Sequence, residues 1–197
     1  MDSSKILAKV NQVAALDQAE TEFFESLLIQ RPFRQGELIV KSGDPARYMM
    51  FVNDGYLMTY YTDKEGNDHV VQFAATEWWC GDLYSLSQLP ATPYTTKALT
   101  DGELLLLPRV GHLQLLEKYI KFEKYFRIFF FNGVIRHQNR FVENHTMTAE
   151  ERYQTFQATY PNLEQYVSQK HIASFLGITP EFLSKIRKRL FQKAALT

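Results

Sequence analysis

Gln169 to Arg189 reads QKHIASFLGITPEFLSKIRKR, and its residue types and spacing suit binding rather than bond-making. Ile172 and Leu176 stand at i and i+4, and Leu183 and Ile186 at i and i+3, so two short helices would share one apolar contact. Ala173 is small where such helices cross closely, and Gly177 sits where the turn between them needs a positive φ. Ile178 plugs the turn. Thr179 is placed as an N-cap, Pro180 suits the first helical position, and Glu181 complements the positive end of the helix dipole. The spacing therefore predicts a helix-turn-helix, a unit whose second helix enters the major groove of duplex DNA by its N-terminal part. Pro180, Glu181, Ser184 and Lys185 are the candidate base contacts; a carboxylate accepts from the cytosine amino group and a lysine donates to guanine. Arg187, Lys188 and Arg189, with Thr179 and Gln169 near helix starts, suit phosphates, which position a protein without reading sequence. A helical hairpin used only for packing would not need this basic exposed face.

Charge along the chain supports the same reading. The 197 residues carry no net charge, yet from Ser168 onward six basic residues stand against Glu181 alone, so the last 30 residues hold +5 and the first 167 hold −5. A basic end on a mildly acidic body is the electrostatic footprint of a nucleic-acid-binding segment. Catalytic alternatives find little support. His69, His112, His137, His145 and His171 are dispersed, without the histidine pair two apart that a cupin-type metal enzyme needs, and no nucleophile elbow or phosphate-binding glycine loop occurs. Neither an enzyme nor a metal or other cofactor is expected. The single cysteine, Cys80, excludes an internal disulfide and an iron-sulfur cluster and reads as a small buried hydrophobe.

Several elements must position this segment. Composition, 45% apolar and 14% aromatic, is ample for a core. Ile6, Val10, Val13 and Ala14 recur at helical spacing, and Asp17 with Glu20 forms a capping box before Phe23, Phe24, Leu27 and Leu28. From Phe33 to Pro108 the texture changes to short runs separated by glycine turns: Glu37–Lys41, Tyr48–Val52, Tyr56–Thr62, His69–Ala74, Thr95–Leu99 and Leu104–Leu107. Short strands about ten residues apart predict an antiparallel barrel or sandwich, with a hairpin across Asp54-Gly55. After Arg109 one long helix is expected to about His145, apolar nearly all round between Tyr125 and Ile135. Leu116, Ile120, Phe126, Phe130, Val134 and Phe141 are the candidate seam with a second copy of the chain, burial within a monomer being the alternative. Thr148 and Glu151 cap a further helix that Tyr160-Pro161-Asn162 ends. The N-terminus, MDSSKILAKVNQV, has no basic stretch followed by an apolar run, and no window approaches eighteen uncharged apolar residues, so the expected location is the cytoplasm, with no membrane partner.

Over almost its whole length the chain resembles the Crp/Fnr family of bacterial regulators. The resemblance rests on Phe33-Arg34-Gln35-Gly36-Glu37-Leu38-Ile39, Ser42-Gly43-Asp44-Pro45-Ala46, Phe51-Val52-Asn53-Asp54-Gly55, Gly81-Asp82-Leu83, the long helix, and His171-Ile172-Ala173 through Arg189. It implies an α+β chain in three parts: a cyclic-nucleotide-binding-like β-roll with its N-terminal helices over 1–109, a dimerisation helix over 110–145, and a helix-turn-helix domain over 146–197. Double-stranded DNA and a second copy are the implied partners, with a small-molecule effector and RNA polymerase as further candidates. Two departures limit the carry-over. Members that bind cyclic nucleotides pair Gly-Glu-Leu with an arginine on the cyclic phosphate; here Asp82 replaces the glutamate, and Pro90 to Leu99 holds only Lys97 as a cation. Cyclic AMP is therefore not expected to bind in the usual way. The sequence also stops at Thr197 without residues for the β-hairpin wing that other members carry. An effector would sit by Gly81, Asp82, Leu83, Tyr84, Ser85, Thr95, Thr96 and Lys97, with Arg136, His137 and Gln138 reaching in from the long helix. The alternative of the same fold is a constitutive DNA-binding dimer whose β-roll is scaffold.

Overall fold

The computed structural model describes residues 1–88 and 90–194. Two helices open the chain, α1 (Ser4–Asn11) and α2 (Gln18–Leu27). The capping box of α2 is formed as its spacing predicts: Glu20 N donates to Asp17 Oδ1 at 2.9 Å and Asp17 N to Glu20 Oε2 at 2.8 Å. Eight strands follow: β1 (Ile29–Phe33), β2 (Leu38–Val40), β3 (Tyr48–Asp54), β4 (Leu57–Thr62), β5 (Asp68–Ala74), β6 (Trp79–Cys80), β7 (Tyr94–Ala98) and β8 (Gly102–Pro108), with the short helix α3 (Leu83–Gln88) between β6 and β7. They build two antiparallel four-stranded sheets, ordered β1-β8-β3-β6 and β2-β7-β4-β5.

Alternation along the strands explains the layering. On β8 Leu104 and Leu106 turn into the space between the sheets, where they meet Phe33, Met50, Val52, Leu57, Ala74, Cys80 and Ala98. Leu105 and Leu107 turn the other way, onto Ile6, Val10, Phe24, Phe51 and Leu115. A four-leucine run is thus a strand buried on both faces. β1, β6 and α3 carry no comparable signal, because Pro32 interrupts the first, the second has two residues and the third six.

Two expectations need correction. The hairpin across Asp54-Gly55 does not form: β3 pairs β6 and β8, while β4 pairs β5 and β7. The chain turns a corner between sheets there, with a register shift between Val52 and Asp54 and Gly55 at φ +97°. A Cβ on Gly55 would lie 2.7 Å from Thr100 Oγ1, so the Asp-Gly pair serves close packing against the neighbouring turn rather than a two-residue hairpin. The single long helix is two, α4 (Arg109–Lys118) and α5 (Ile120–Thr146), broken at Tyr119 with φ −135° and ψ 107°. The break seats Tyr119 against Phe23, ring centroids 5.6 Å apart, and lets Phe122 pack on Phe24 at 5.1 Å.

The remaining helices are α6 (Ala149–Thr159), α7 (Gln169–Leu176) and α8 (Pro180–Ala194), with a 3₁₀ turn at Leu163–Gln165. Their apolar faces close on the outer side of the second sheet: Tyr153, Phe156, Leu163, Ile172, Leu176, Leu183 and Ile186 share one cluster with Met58, Val70, Phe73 and Leu99. No helix among the described residues is long and apolar enough to cross a membrane.

Candidate functional site

The helix-turn-helix geometry agrees with its sequence signals. Ser168 accepts from His171 N as the cap of α7, Gly177 ends that helix in the left-handed region at φ 67°, and Thr179 Oγ1 accepts from Phe182 N at 3.2 Å to open α8. Ile172, Ala173, Leu183 and Ile186 are buried together. The opposite side of α8 presents Glu181, Ser184, Lys185 and Lys188 to solvent, and Gln169 and Thr179 are exposed at the two helix starts. Pro180 is partly covered. Hydrogen bonds from its own backbone N–H and from Thr179 hold the Glu181 carboxyl below the usual carboxylate range, so it is an anion among these cations.

The three residues expected on phosphates divide. Lys188 is exposed and outward. Arg187 is half-buried on the flank that faces Tyr153, whose hydroxyl burial and the Glu164 carboxylate push well up. Arg189 bonds Glu150 at 3.1 Å, as Lys193 does at 2.8 Å, so it ties α8 back to α6.

α7 closes the free edge of β5. Val70 N donates to Ser174 Oγ at 2.9 Å, and that hydroxyl donates to Asp68 O at 2.9 Å. Arg140 of α5 donates to Val71 O at 2.6 Å and Phe175 O at 3.0 Å, and its guanidinium lies 4.0 Å from the Phe175 ring centre. An edge strand that would otherwise offer unpaired amides is covered by the first helix of the helix-turn-helix.

Between the sheets lies a cavity of about 590 Å³, whose lining includes Gly81, Asp82, Leu83, Tyr84, Thr96 and His137. Asp82 is committed locally: Oδ1 accepts from Tyr84 N and Ser85 N at 3.0 and 3.2 Å, and Oδ2 from Thr92 Oγ1 at 2.7 Å. Thr96 faces inward and pairs with Thr59 at 2.9 Å. The other expected residues are elsewhere. Ser85 is wholly buried between Ala46 N and Pro90 O. Thr95 and Lys97 alternate with Thr96 on β7 and so face away from the cavity. Arg136 stacks on Trp78 in a separate cavity, and Gln138 is exposed on α5. Sequence reasoning missed Arg31, Arg47, Thr59, Thr92 and Tyr94 on the lining; Arg47 is exposed at the cavity and Arg31 pairs with Glu37 at 2.9 Å. Only strand alternation on β4 and β7 could have found Thr59 and Tyr94.

Of the expected seam residues, Ile120, Val134 and Phe141 are 78, 55 and 67% exposed. Leu116 and Phe130 lean on the protomer's own core. Phe126 is a correction: it is 1% exposed, 4.5 Å from the ring of His112 and 6.0 Å from that of Trp79, so its own chain buries it. Exposed Phe131 and Ile135 were missed because nearly every residue from Tyr125 to Ile135 is apolar and the outward face has no contrast; Val142, exposed as well, stands beside Phe141 in a polar stretch.

Residues 30–119 match the cyclic nucleotide-binding domain family, a span that runs from β1 to the break at Tyr119. No curated protein sequence matches the chain. Among solved structures, FixK2 from Bradyrhizobium japonicum is similar at 20% identity over 85% of this chain and 86% of that one, with a TM-score of 0.71. The chain has the Crp/Fnr fold. A transcriptional regulator assigned to the Crp/Fnr family from Eubacterium rectale shares it at 18% identity, covering 91% of this chain and 85% of that one, TM-score 0.67. The Thermus thermophilus catabolite activator protein covers 94% and 88% at 20% identity, TM-score 0.57. In the terms of the Crp/Fnr fold, β1 to β8 are the β-roll, and α6 to α8 are the C-terminal helical region.

Proposed function

We propose that the chain is a bacterial, cytoplasmic transcription regulator that binds double-stranded DNA as a homodimer through α8, with the β-roll as its sensing half. The observation that carries this reading is the outward face of α8, where Ser184, Lys185 and Lys188 stand exposed around a capped helix start. Pro180, Glu181, Ser184 and Lys185 read base edges; Lys188 and Arg187 contact phosphates with Gln169 and Thr179, and Arg189 contributes less because Glu150 holds it. The division of labour follows residues 1–109, 110–145 and 146–197, of which 195–197 lie outside the described residues.

Dimerisation is supported by the exposed apolar residues of α5, Ile120, Phe131, Val134, Ile135, Phe141 and Val142, among which Val134 with Phe141 and Ile135 with Val142 recur at a spacing of seven. A seven-residue repeat keeps one face of a helix toward a partner helix. The two copies of α8 then address successive major grooves, about 34 Å apart.

A cavity of about 590 Å³ with Thr59, Thr96, Tyr94 and His137 on its lining supports a small-molecule effector over a bare scaffold. Cyclic AMP is not that effector in the usual way, since the Asp82 carboxylate is already spent on Tyr84 N, Ser85 N and Thr92. The effector acts by binding one spacing of the recognition helices better than another, and RNA polymerase is the further partner of an activator. The domain family matched is a ligand-binding one, which supports regulation rather than catalysis. Selection of binding sites from random duplex DNA tests the proposal. Enrichment of a two-fold-symmetric site is the expected result; no enrichment, with and without a small-molecule extract of cells, would contradict it.

A further inference from the structure

A second cavity, of about 490 Å³, lies between β5, the turn before β6, α5, and helices α6 and α7. Its chemistry differs from that of the first. Arg136, Arg140 and Arg152 all line it, against the single acid Glu143. Among the described residues none of the three arginines enters a salt bridge. Arg140 donates only to the carbonyls of Val71 and Phe175, and Arg152 Nη1 donates to Met147 O at 2.8 Å while its buried Nε has no partner. Buried or half-buried guanidinium groups are ordinarily paired, because desolvating a charge without a counter-charge is costly.

Aromatic rings alternate with these cations. Arg136 lies 4.3 Å above the centre of Trp78, Trp78 packs against Tyr160 at 5.4 Å, and Arg140 covers Phe175 at 4.0 Å. Burial pushes the Tyr160 hydroxyl up to about 12, with Arg136 and Arg140 opposing the shift, so at neutral pH it is an uncharged donor beside two cations. A wall of this kind offers delocalised guanidinium groups backed by aromatic rings, and fork-shaped donors for a carboxylate or phosphate.

We propose that this cavity is a ligand site for a planar aromatic anion, held against the guanidinium groups of Arg136 and Arg140 that cap Trp78 and Phe175, with charge-assisted hydrogen bonds from Arg136 and Arg152. The size lies within the range of small-molecule sites. Because Trp78 belongs to the sensing half and Tyr160 and Phe175 to the C-terminal helices, a ligand here bridges the two halves and holds α7 against β5. The two cavities share Val71, Gln72 and His137 on their walls, while Trp78, Arg136 and Arg152 line the second and not the first, and binding here does not depend on DNA.

Isothermal titration of the full chain with 2-naphthoate and with adenosine monophosphate tests the site, with 2-naphthylmethanol as the uncharged isostere. Arg136 is exposed, so Arg136→Gln leaves the fold intact; Arg47→Gln, at the β-roll cavity, is the control. The expected result is binding of at least one anion, weakened about tenfold by Arg136→Gln and by loss of the ligand's charge, and unchanged by Arg47→Gln. Preference for the monophosphate would assign a nucleotide-type ligand, and preference for the naphthoate an aromatic carboxylate. Absence of binding by both probes at millimolar concentration, or binding that survives Arg136→Gln or is lost in Arg47→Gln, would overturn it.

Discussion

Lys185 and Arg189 lie one turn apart on α8, yet of the two it is Arg189 that is held in a salt bridge, by Glu150. Sequence alone counts both as cations able to meet DNA; the partner comes from α6, 39 residues away, and no local pattern reveals it. The turn before α8 was fully legible, because a left-handed residue between two amphipathic runs leaves glycine as the usual choice. Gly177 has open space around a Cβ, so its constraint is conformational, not steric. Gly177→Ala should lower unfolding free energy by about 1–2 kcal/mol, measured by urea denaturation, through left-handed strain alone. At Tyr160 the raised hydroxyl pKa gives a pH signature. The protonated form is favoured on folding, so the contribution is complete below the ordinary tyrosine value of 10.0 and is lost as pH rises toward about 12. Between pH 9.5 and 11.5 the wild type should lose on the order of 2 kcal/mol more stability than Tyr160→Phe; equal losses would contradict the assignment.

At the scale of elements, β2 to β5, β7 and β8 and both capping boxes were readable because alternation and capping are local. What could not be read was sheet membership. Asp54-Gly55 has the composition of a hairpin turn, but β3 finds its partner in β8, about 50 residues on, where Leu104 to Leu107 fill both faces. The break at Tyr119 was hidden for the same reason: its cause is Phe23 and Phe24 of α2. α5 carries the assembly prediction. Val134 is 55% exposed and makes no part of the protomer's buried core, so Val134→Glu should fold with unchanged stability and sediment as a monomer where the wild type sediments as a dimer. A dimer that persists in the variant would move the seam off this face.

In the whole molecule, the second sheet is the common floor of the β-roll and the C-terminal helices. Met58, Val70 and Phe73 look outward into the cluster of α6 to α8, while Leu57, on the same sheet, looks inward between the sheets. α7 is thereby joined to β5 at its base and to α8 through the tight turn at Gly177. Charge asymmetry announced this arrangement in outline, with +5 in the last 30 residues, but the docking of α7 on the edge of β5 depends on Ser174 and Arg140 meeting backbone atoms, which composition does not encode. The central claim is that the outward face of α8 reads DNA. Fluorescence anisotropy of a selected duplex, titrated with wild type and Lys185→Ala across a series of salt concentrations, tests it most directly. A steep inverse dependence on salt, with the variant losing about 1–3 kcal/mol on the selected site and much less on sites altered at one base position, is the predicted result. Equal binding of wild type and Lys185→Ala on every sequence, or affinity indifferent to salt, would contradict it.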